Sequence, residues 1–201
     1  MTQSKTLKRA VRLGIWLWFG YWIAQIFVGD LGASPALTLN HRIGTIVFVL
    51  LSVNITLGVA LSLLKPAPKW LRFWLSERRF WGVSTFLILT THVFFYFLNE
   101  GFEPKAWTQM ITKTYLMFAS LAFLILFVLA LTSNDFSVRK LGGKCWKHIQ
   151  RSVYAVQILL FGHLLLIEKA NVIKYAIWLF ALLVAQGARW LVVFWARPKR
   201  P

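Results

Sequence analysis

The sequence predicts an all-α polytopic membrane protein with six transmembrane helices and both termini in the cytoplasm. Of its 201 residues, 58% are apolar and only 14% are charged, and the mean hydropathy is +0.63. A soluble domain has about a quarter of its residues charged, so the surplus apolar side chains must face lipid. Six helices of about 20 apolar residues each would account for most of them. The whole chain, 1–201, is therefore interpreted as one transmembrane domain.

Six apolar runs, each ending in charge, glycine or proline, define the predicted spans. They are residues 13–28, 43–64, 81–98, 115–132, 152–167 and 175–196. The first run follows a cationic lead, which leaves a cleaved signal peptide open as an alternative. We interpret it as a retained span, because it reaches membrane length and its polar lead is long for a signal. Segment 65–80, rich in Pro, Trp and cations, predicts a piece lying in the membrane interface.

The distribution of Lys and Arg predicts the orientation. One side of the membrane holds seventeen basic residues, and the other holds five together with four of the six acids. The larger set is Lys5, Lys8, Arg9, Arg12, Lys65, Lys69, Arg72, Arg78, Arg79, Arg139, Lys140, Lys144, Lys147, Arg151, Arg197, Lys199 and Arg200. Because Lys and Arg accumulate in cytoplasmic loops, this side is cytoplasmic. We therefore interpret the basic residues behind the net charge of +17 as setting the topology and contacting anionic lipid headgroups, and not as a nucleic-acid-binding surface.

Several classes of chemistry lack their residues in this sequence. There is no Gly-rich phosphate loop and no Gly-x-Ser-x-Gly nucleophile elbow. No acidic residue lies within a predicted span, so paired carboxylates for acid–base work are missing. The single Cys145 excludes an intrachain disulfide framework and a cysteine-ligated zinc or iron–sulfur site. We therefore expect no catalytic residues of hydrolysis or phosphoryl transfer.

Two of the four histidines lie inside apolar runs, where an ionisable side chain is costly without a partner. His92 lies 13 residues beyond Arg79, and His163 lies 12 residues beyond Arg151. At 1.5 Å per residue these separations are about 20 and 18 Å, so the two imidazoles lie at nearly one depth. They could hold a haem as two axial ligands. The alternative is that each only forms a hydrogen bond to a neighbouring helix.

The neighbours of this pair suit a haem. Gly162, beside His163, is expected to leave room for a macrocycle against the backbone. Phe94, Phe95 and Phe97 are expected to supply apolar packing around His92. Arg189, inside the last run, is expected to extend toward the inner headgroups.

An ordered set of short stretches carries a family resemblance over about residues 30 to 190. The stretches are Leu31–Pro35 with His41–Gly44, Arg78–Gly82, Thr91–His92 with Tyr96, Lys113–Leu116, Leu129–Ser133, Arg139–Gly142 with Trp146, and Val153–Tyr154 leading to His163. Together they resemble the MsrQ family. This family is the haem-binding membrane subunit of the bacterial periplasmic methionine-sulfoxide reductase system, within the ferric-reductase-like transmembrane group.

The resemblance implies a six-helix b-type cytochrome of the bacterial inner membrane. It implies electron donation from the quinol pool or a cytoplasmic flavin reductase, and delivery to a periplasmic molybdenum-cofactor reductase that repairs oxidised methionines. Flavin mononucleotide (FMN) is also associated with the family. His92 and His163 match the family's haem-ligand positions. His41 matches a family position at the outer start of the second span, where a propionate contact or a simple interface position are both open.

The sequence departs from the family pattern at one position. The family usually carries a further His thirteen residues before the one matching His163, and here that position is Gln150. His148 stands two residues earlier, about 200° away around a regular helix. We therefore expect one haem, with a second in doubt and His148 as a solvated residue of a basic loop. Arg78 and Arg79 are candidates for docking an anionic flavin or an acidic donor, although topology alone also explains them.

Two rival functions stay open at this point. One is another ferric-reductase-like b-type cytochrome. The observation against it is that this sequence carries no attached flavin or nicotinamide domain. The other is a non-redox membrane protein, such as a small transporter or assembly factor, whose core histidines only form hydrogen bonds.

Overall fold

The computed structural model describes residues 2–28, 30–64, 66–167 and 172–195. Within these ranges the chain forms helices and no strand. The helices are α1 (Thr2–Val28), α2 (Pro35–Leu63), α3 (Lys69–Ser76), α4 (Arg78–Asn99), α5 (Pro104–Thr112), α6 (Thr114–Leu131), α7 (Asp135–Leu141), α8 (Gly143–Gln150), α9 (Val153–Leu165) and α10 (Val172–Trp195). The topology argument also used Lys65, Glu168, Lys169, Arg197, Lys199 and Arg200, which lie outside the described residues.

Each of the six apolar runs falls mainly on one helix, namely α1, α2, α4, α6, α9 and α10. The connections hold more helix than expected. Segment 65–80 contains α3 and the first turn of α4, and α5 begins with Pro104 at its first position, which suits proline. Asn134 caps α7 by accepting a hydrogen bond from the backbone N of Ser137 at 2.8 Å. Gly142, with φ of +75°, separates α7 from α8.

Among the described residues, three helices are long and apolar enough to cross a membrane by length and composition. These are Pro35–Leu61, Arg78–Asn99 and Thr114–Leu131, and Tyr175–Leu191 is a shorter apolar helix. α1 begins with a polar, cationic segment, and α9 has only 13 residues because α8 and a turn precede it. The protein is thus a helical protein with membrane-spanning character, while the six-span topology stays a prediction.

Five of the longer helices pack side by side in a closed ring. α2 packs against α4, α4 against α6, α6 against α9, α9 against α10, and α10 against α2. α1 and α3 pack on the outside of this ring against α2, and α5 packs against α6. α4 and α9 carry the two predicted ligands. They are separated in the ring by α6 on one side and by α2 and α10 on the other.

The ring interior is mostly apolar, and much of its outer surface is apolar too. Near the start of α4, the interior holds a cluster that includes Leu51, Leu126 and Val156. By contrast, large side chains such as Leu124 and Ile158 are more than half exposed. Outward-facing apolar surface on this scale suits lipid contact rather than water.

Candidate functional site

His92 of α4 is joined to Asn40 of α2 by two hydrogen bonds. The ring Nδ1 of His92 lies 2.9 Å from the backbone O of Asn40, and the Asn40 side-chain amide donates to the backbone O of His92 at 2.8 Å. Asn40 is almost fully buried, with 9% of its surface exposed. These bonds join α2 and α4, which pack closely along their length, and fix the plane of the His92 ring.

His163 of α9 has an equivalent partner on α6. Its Nδ1 lies 2.9 Å from the backbone O of Tyr115, and the two rings lie with centroids 5.9 Å apart. Tyr115 is the second residue of α6, so its carbonyl is at the beginning of that helix. The second predicted ligand is therefore held by a backbone carbonyl on a neighbouring helix in the same manner as the first.

These two contacts define which nitrogen of each ring carries the proton. A carbonyl oxygen only accepts hydrogen bonds, so Nδ1 of each neutral imidazole is the donor. Nε2 then holds the lone pair that a metal ion needs. Histidines that ligate metals have the same pattern, with the other ring nitrogen donating to a backbone carbonyl or carboxylate. The donor set thus fits two axial ligands of a haem iron.

The two imidazoles lie toward the same end of the helix ring. Asn40 and Tyr115 stand near the first turns of α2 and α6, while His92 and His163 stand in the later parts of α4 and α9. His163 and His41 both lie within electrostatic range of His92. The His41 side chain is exposed. Across the described chain, no three or more His, Cys, Asp and Glu side chains converge as a metal site, so the histidines would act as a pair.

Gly44 is the glycine that approaches the His92 ring, whereas Gly162, which was expected to leave room for a macrocycle against the backbone, faces a side chain. A Cβ atom at Gly44 would lie 2.9 Å from Cε1 and 3.2 Å from Nδ1 of His92. At Gly162 it would instead lie 2.7 Å from the ring of Phe118 on α6. The space beside Gly162 is therefore filled by a side chain, because α6 and α9 pack closely there. Gly44 allows α2 to approach the His92 ring.

Of the three phenylalanines that were expected to pack around His92, two are buried and one is exposed. Phe95 and Phe97 are buried, at 5% and 6% exposure, whereas Phe94 is half exposed at 51%. Phe95 belongs to the apolar cluster that joins α1, α2 and α4. Phe97 contacts Trp107 of α5 with ring centroids 4.3 Å apart. Only part of the predicted aromatic set is therefore interior.

Gln150 and His148 stand at the opposite end of the ring. The Gln150 side-chain amide donates to the backbone O of Leu129 at 3.2 Å and to Oγ1 of Thr132 at 3.1 Å. His148 is exposed on α8. Gln150 therefore ties the end of α8 to the end of α6.

The two candidate docking arginines differ in their surroundings. Arg79 forms an ion pair with Asp135, and its guanidinium lies 5.1 Å from the centroid of the Trp146 ring. Arg78 is exposed and borders a cavity between α2, α3 and α4. Of the two, Arg79 has protein partners for its charge, and Arg78 faces outward.

Glu77, just before α4, is almost completely buried at 2% exposure. Its carboxylate forms ion pairs with Lys8 at 3.0 Å and with Arg12 at 2.7 Å, both on α1. Burial by itself raises the pKa of Glu77, but the hydrogen bonds and charges of Arg12 and Lys8 outweigh it and hold the pKa below its usual value. This carboxylate therefore anchors the N-terminal helix to the turn between α3 and α4.

Two side-chain hydrogen bonds join α9 and α10. Arg189 hydrogen-bonds to the hydroxyl of Tyr154, and its guanidinium lies 5.5 Å from the centroid of that ring. Nearby, the Gln186 amide donates to Oε1 of Gln157, which is 3% exposed. Arg189, which was expected to extend toward the inner headgroups, thus has a protein partner on α9. Polar groups paired across helices in this way stabilise membrane bundles.

The residues that orient the two histidines were not found by sequence reasoning. Asn40 and Tyr115 lie 52 and 48 positions from their partners, so no local pattern connects them. Asn40 gave a weak signal, being an amide next to His41 at the start of an apolar run. Tyr115 acts through its backbone carbonyl, which any residue has, and therefore gave none.

Comparisons with known proteins identify the family to which the chain is similar. Residues 43–161 match the family model for the ferric reductase like transmembrane component. The chain is 33% identical over 159 residues to a protein-methionine-sulfoxide reductase heme-binding subunit MsrQ of Rhodospirillum rubrum, covering 77% of this chain and 72% of that one. It is 34% identical over 169 residues to the subunit of the same name from Azospira oryzae, covering 82% and 69%. No solved structure matches the chain.

Proposed function

The chain belongs to the MsrQ family within the ferric-reductase-like transmembrane group, and on this premise we propose that His92 and His163 hold one haem b. Membership makes the protein a haem-binding membrane subunit for electron transfer. The finer assignments that follow rest on the geometry of the two histidines and on the distribution of charge.

The arrangement of Nδ1 atoms is the observation that carries the ligand assignment. Both imidazoles donate Nδ1–H to a backbone carbonyl at 2.9 Å, which leaves both Nε2 atoms as lone-pair donors. This is the tautomer that two histidines need if both are to ligate one iron through Nε2.

Asn40 and Tyr115 act as positioning residues. Their carbonyls hold each ring plane and raise the basicity of the opposite nitrogen. A haem held by these two histidines would supply a one-electron iron couple, which is chemistry that the side chains of this protein lack. The polypeptide provides ligands, an apolar surrounding and a fixed orientation.

One haem fits the chain better than two. A second site toward the basic end would need a ligand at the position of Gln150, whose amide is committed to Leu129 and Thr132 of α6. The same half of the ring is filled by Leu51, Leu126 and their neighbours. Glutamine is also a poor axial donor compared with imidazole.

The direction of electron flow is proposed to be outward. With six spans and the basic end in the cytoplasm, α2 and α6 begin at the periplasmic face of the inner membrane. The histidine pair stands toward that face. We propose that the acceptor is a separate periplasmic reductase with a molybdenum cofactor, and that the outer loops of this chain serve as its docking surface.

The electron donor is proposed to meet the protein from the opposite side. Quinol in the membrane, or a cytoplasmic flavin reductase with FMN, would deliver electrons at the basic end. This assignment follows the family resemblance, and the positive charge concentrated at that end would attract an acidic donor.

A second candidate function is a non-redox membrane protein with hydrogen-bonded core histidines. The observation in its favour is that each histidine does use one nitrogen in a bond between helices. A reduced-minus-oxidised absorption spectrum of the purified protein decides between the two functions. A b-type spectrum is expected, and the lack of any haem absorption in protein from haem-replete cells would leave the non-redox function.

Replacement of the ligands tests the site itself. His92→Ala and His163→Ala should each abolish or severely reduce the main haem signal, because each leaves the iron an open position. His148→Ala is the matched control and should leave the spectrum intact. A normal six-coordinate spectrum in both core variants would refute the assignment.

Reoxidation kinetics test the role in methionine repair. Reduced protein in liposomes should be reoxidised by the periplasmic partner plus a sulfoxide substrate added outside, and much more slowly by the substrate alone. Equal rates with and without the partner would exclude the conduit role. Reoxidation by ferric chelates but not by the partner would instead favour another ferric-reductase-like cytochrome.

A further inference from the structure

A small apolar cavity of about 200 Å³ lies between α2, α3 and α4 at the basic end of the ring. Its apolar lining comprises Leu50, Val53 and Leu57 of α2, Leu75 of α3 and three tryptophans, Trp70, Trp74 and Trp81. Arg78 stands at its border, and Asn54 is the other polar residue that lines it. The cavity lies at the opposite end of the ring from the histidine pair, and Arg78 at its border is one of the two arginines considered above for docking an anionic flavin or an acidic donor.

The short helix α3 forms one side of this cavity. Leu71 is completely buried against the ring, while Trp70, on the cavity side, is 55% exposed. Trp74 and Trp81 approach with ring centroids 5.1 Å apart, which joins α3 to α4. Lys69 and Arg72 of α3 are exposed. A helix with an aromatic side and exposed cations is typical of the headgroup level of a bilayer.

The charge of Arg78 is uncompensated among the described residues. The adjacent Glu77 is already engaged by Lys8 and Arg12. The adjacent Arg79 forms an ion pair with Asp135. Arg78 therefore presents a guanidinium beside an apolar cavity with no carboxylate partner in the part of the chain that the structure describes. A guanidinium binds phosphate with two parallel hydrogen bonds.

We propose that this cavity and Arg78 form a binding site for one anionic phospholipid. A segment of acyl chain would lie against Leu50, Val53 and Leu57, and the phosphate would meet Arg78. Pockets that enclose a whole small molecule have volumes of about 300 to 1,000 Å³, so a smaller cavity suits a ligand whose remainder stays in the bilayer. Basic pockets between helices on the cytoplasmic side of membrane proteins bind anionic headgroups in this way.

Native mass spectrometry of the purified full-length protein tests the headgroup contact. The protein should retain one phosphatidylglycerol in preference to phosphatidylcholine with the same chains. Arg78→Gln should weaken phosphatidylglycerol binding about fivefold or more, since one basic residue near anionic lipid contributes about that much. Arg139→Gln removes an exposed cation at the same end but away from the cavity, and should leave binding unchanged. Equal binding by the parent and Arg78→Gln would overturn the proposal.

A second variant tests the apolar part of the site. Leu57→Trp should fill the cavity and reduce phosphatidylglycerol binding, whereas Leu61→Trp, on the same helix but outside the cavity, should not. Inorganic phosphate and FMN are added in separate arms as competitors. If either displaces the lipid at equal concentration, the site recognises a free phosphate or a flavin and not a phospholipid. Undiminished binding in Leu57→Trp would equally contradict the proposal.

Discussion

His92 of α4 and Asn40 of α2 form two reciprocal hydrogen bonds, in which the side chain of each residue donates to the backbone carbonyl of the other. Nδ1 of His92 donates to the carbonyl of Asn40, and the Asn40 side chain donates to the carbonyl of His92, at 2.9 and 2.8 Å. The orientation of the His92 ring thus depends on the backbone carbonyl of Asn40, whereas the second bond between α2 and α4 depends on the Asn40 side chain. Substitution can separate these two roles.

Asn40→Ala should destabilise the protein and yet keep the haem ligand in place. The variant loses one buried hydrogen bond, which contributes about 1 kcal/mol, but keeps the carbonyl that orients His92. We expect a lower midpoint of thermal unfolding with an unchanged six-coordinate spectrum. Loss of the spectrum at temperatures where the protein is folded would show that the side chain itself positions the ring.

Gly44→Ala should disturb the ligand directly. Its Cβ would lie 2.9 Å from Cε1 of His92, closer than real contacts allow, so the ring must tilt or α2 must shift. We expect weaker haem retention and an altered spectrum. The control is Gly58→Ala on the same helix, where a Cβ has open space and should cost nothing. Identical spectra for both variants would remove Gly44 from the site.

The number of haems is tested at Gln150. We expect a haem-to-protein ratio near one in the parent protein, measured by pyridine haemochrome against protein mass. Gln150→His restores an imidazole donor and could raise the ratio only if the apolar cluster around Leu126 gives way. A ratio of two in the parent would show that His148 or His41 supplies the missing ligand.

The orientation of the chain is tested at Cys145, which is exposed on α8 at the basic end. A membrane-impermeant maleimide should label it only after spheroplasts are opened, because basic loops stay in the cytoplasm. The control is Lys105→Cys in a Cys145→Ser background, which places the thiol on exposed α5 at the other end. It should be labelled in intact spheroplasts. The reverse pattern would invert the topology.

The ion pairs of Glu77 should make stability depend on pH. The folded pKa of Glu77 lies below its usual value, so the contribution is fully present above about pH 4.5 and is lost as the pH falls through the folded pKa. The midpoint of thermal unfolding should therefore fall at acid pH in the parent and fall less in Glu77→Gln. Glu103→Gln, at an exposed carboxylate outside the described ion pairs, should behave like the parent. Parallel pH profiles for the parent and Glu77→Gln would show that the pairs contribute nothing.

Local sequence determined the helices and the two central histidines. Apolar runs bounded by charge are a local property, so the positions of the long helices and of His92 and His163 within them followed from hydropathy and from a rise of 1.5 Å per residue. The family resemblance was also local, since it rested on an ordered set of short stretches, and the family match confirmed it. The short helices α5, α7 and α8 were missed because caps and turns, and not hydropathy, define them.

Only the tertiary structure decided how these residues are used. The tautomers of His92 and His163 depend on carbonyls about 50 positions away in the sequence, at Asn40 and Tyr115. That Gly44 approaches the His92 ring while Gly162 faces Phe118 depends on which helices pack against each other. Arg79 is paired with Asp135 of α7, whereas Arg78 has no carboxylate partner in the described ranges of the chain. Composition and periodicity describe each helix alone, whereas these features arise from contacts between helices.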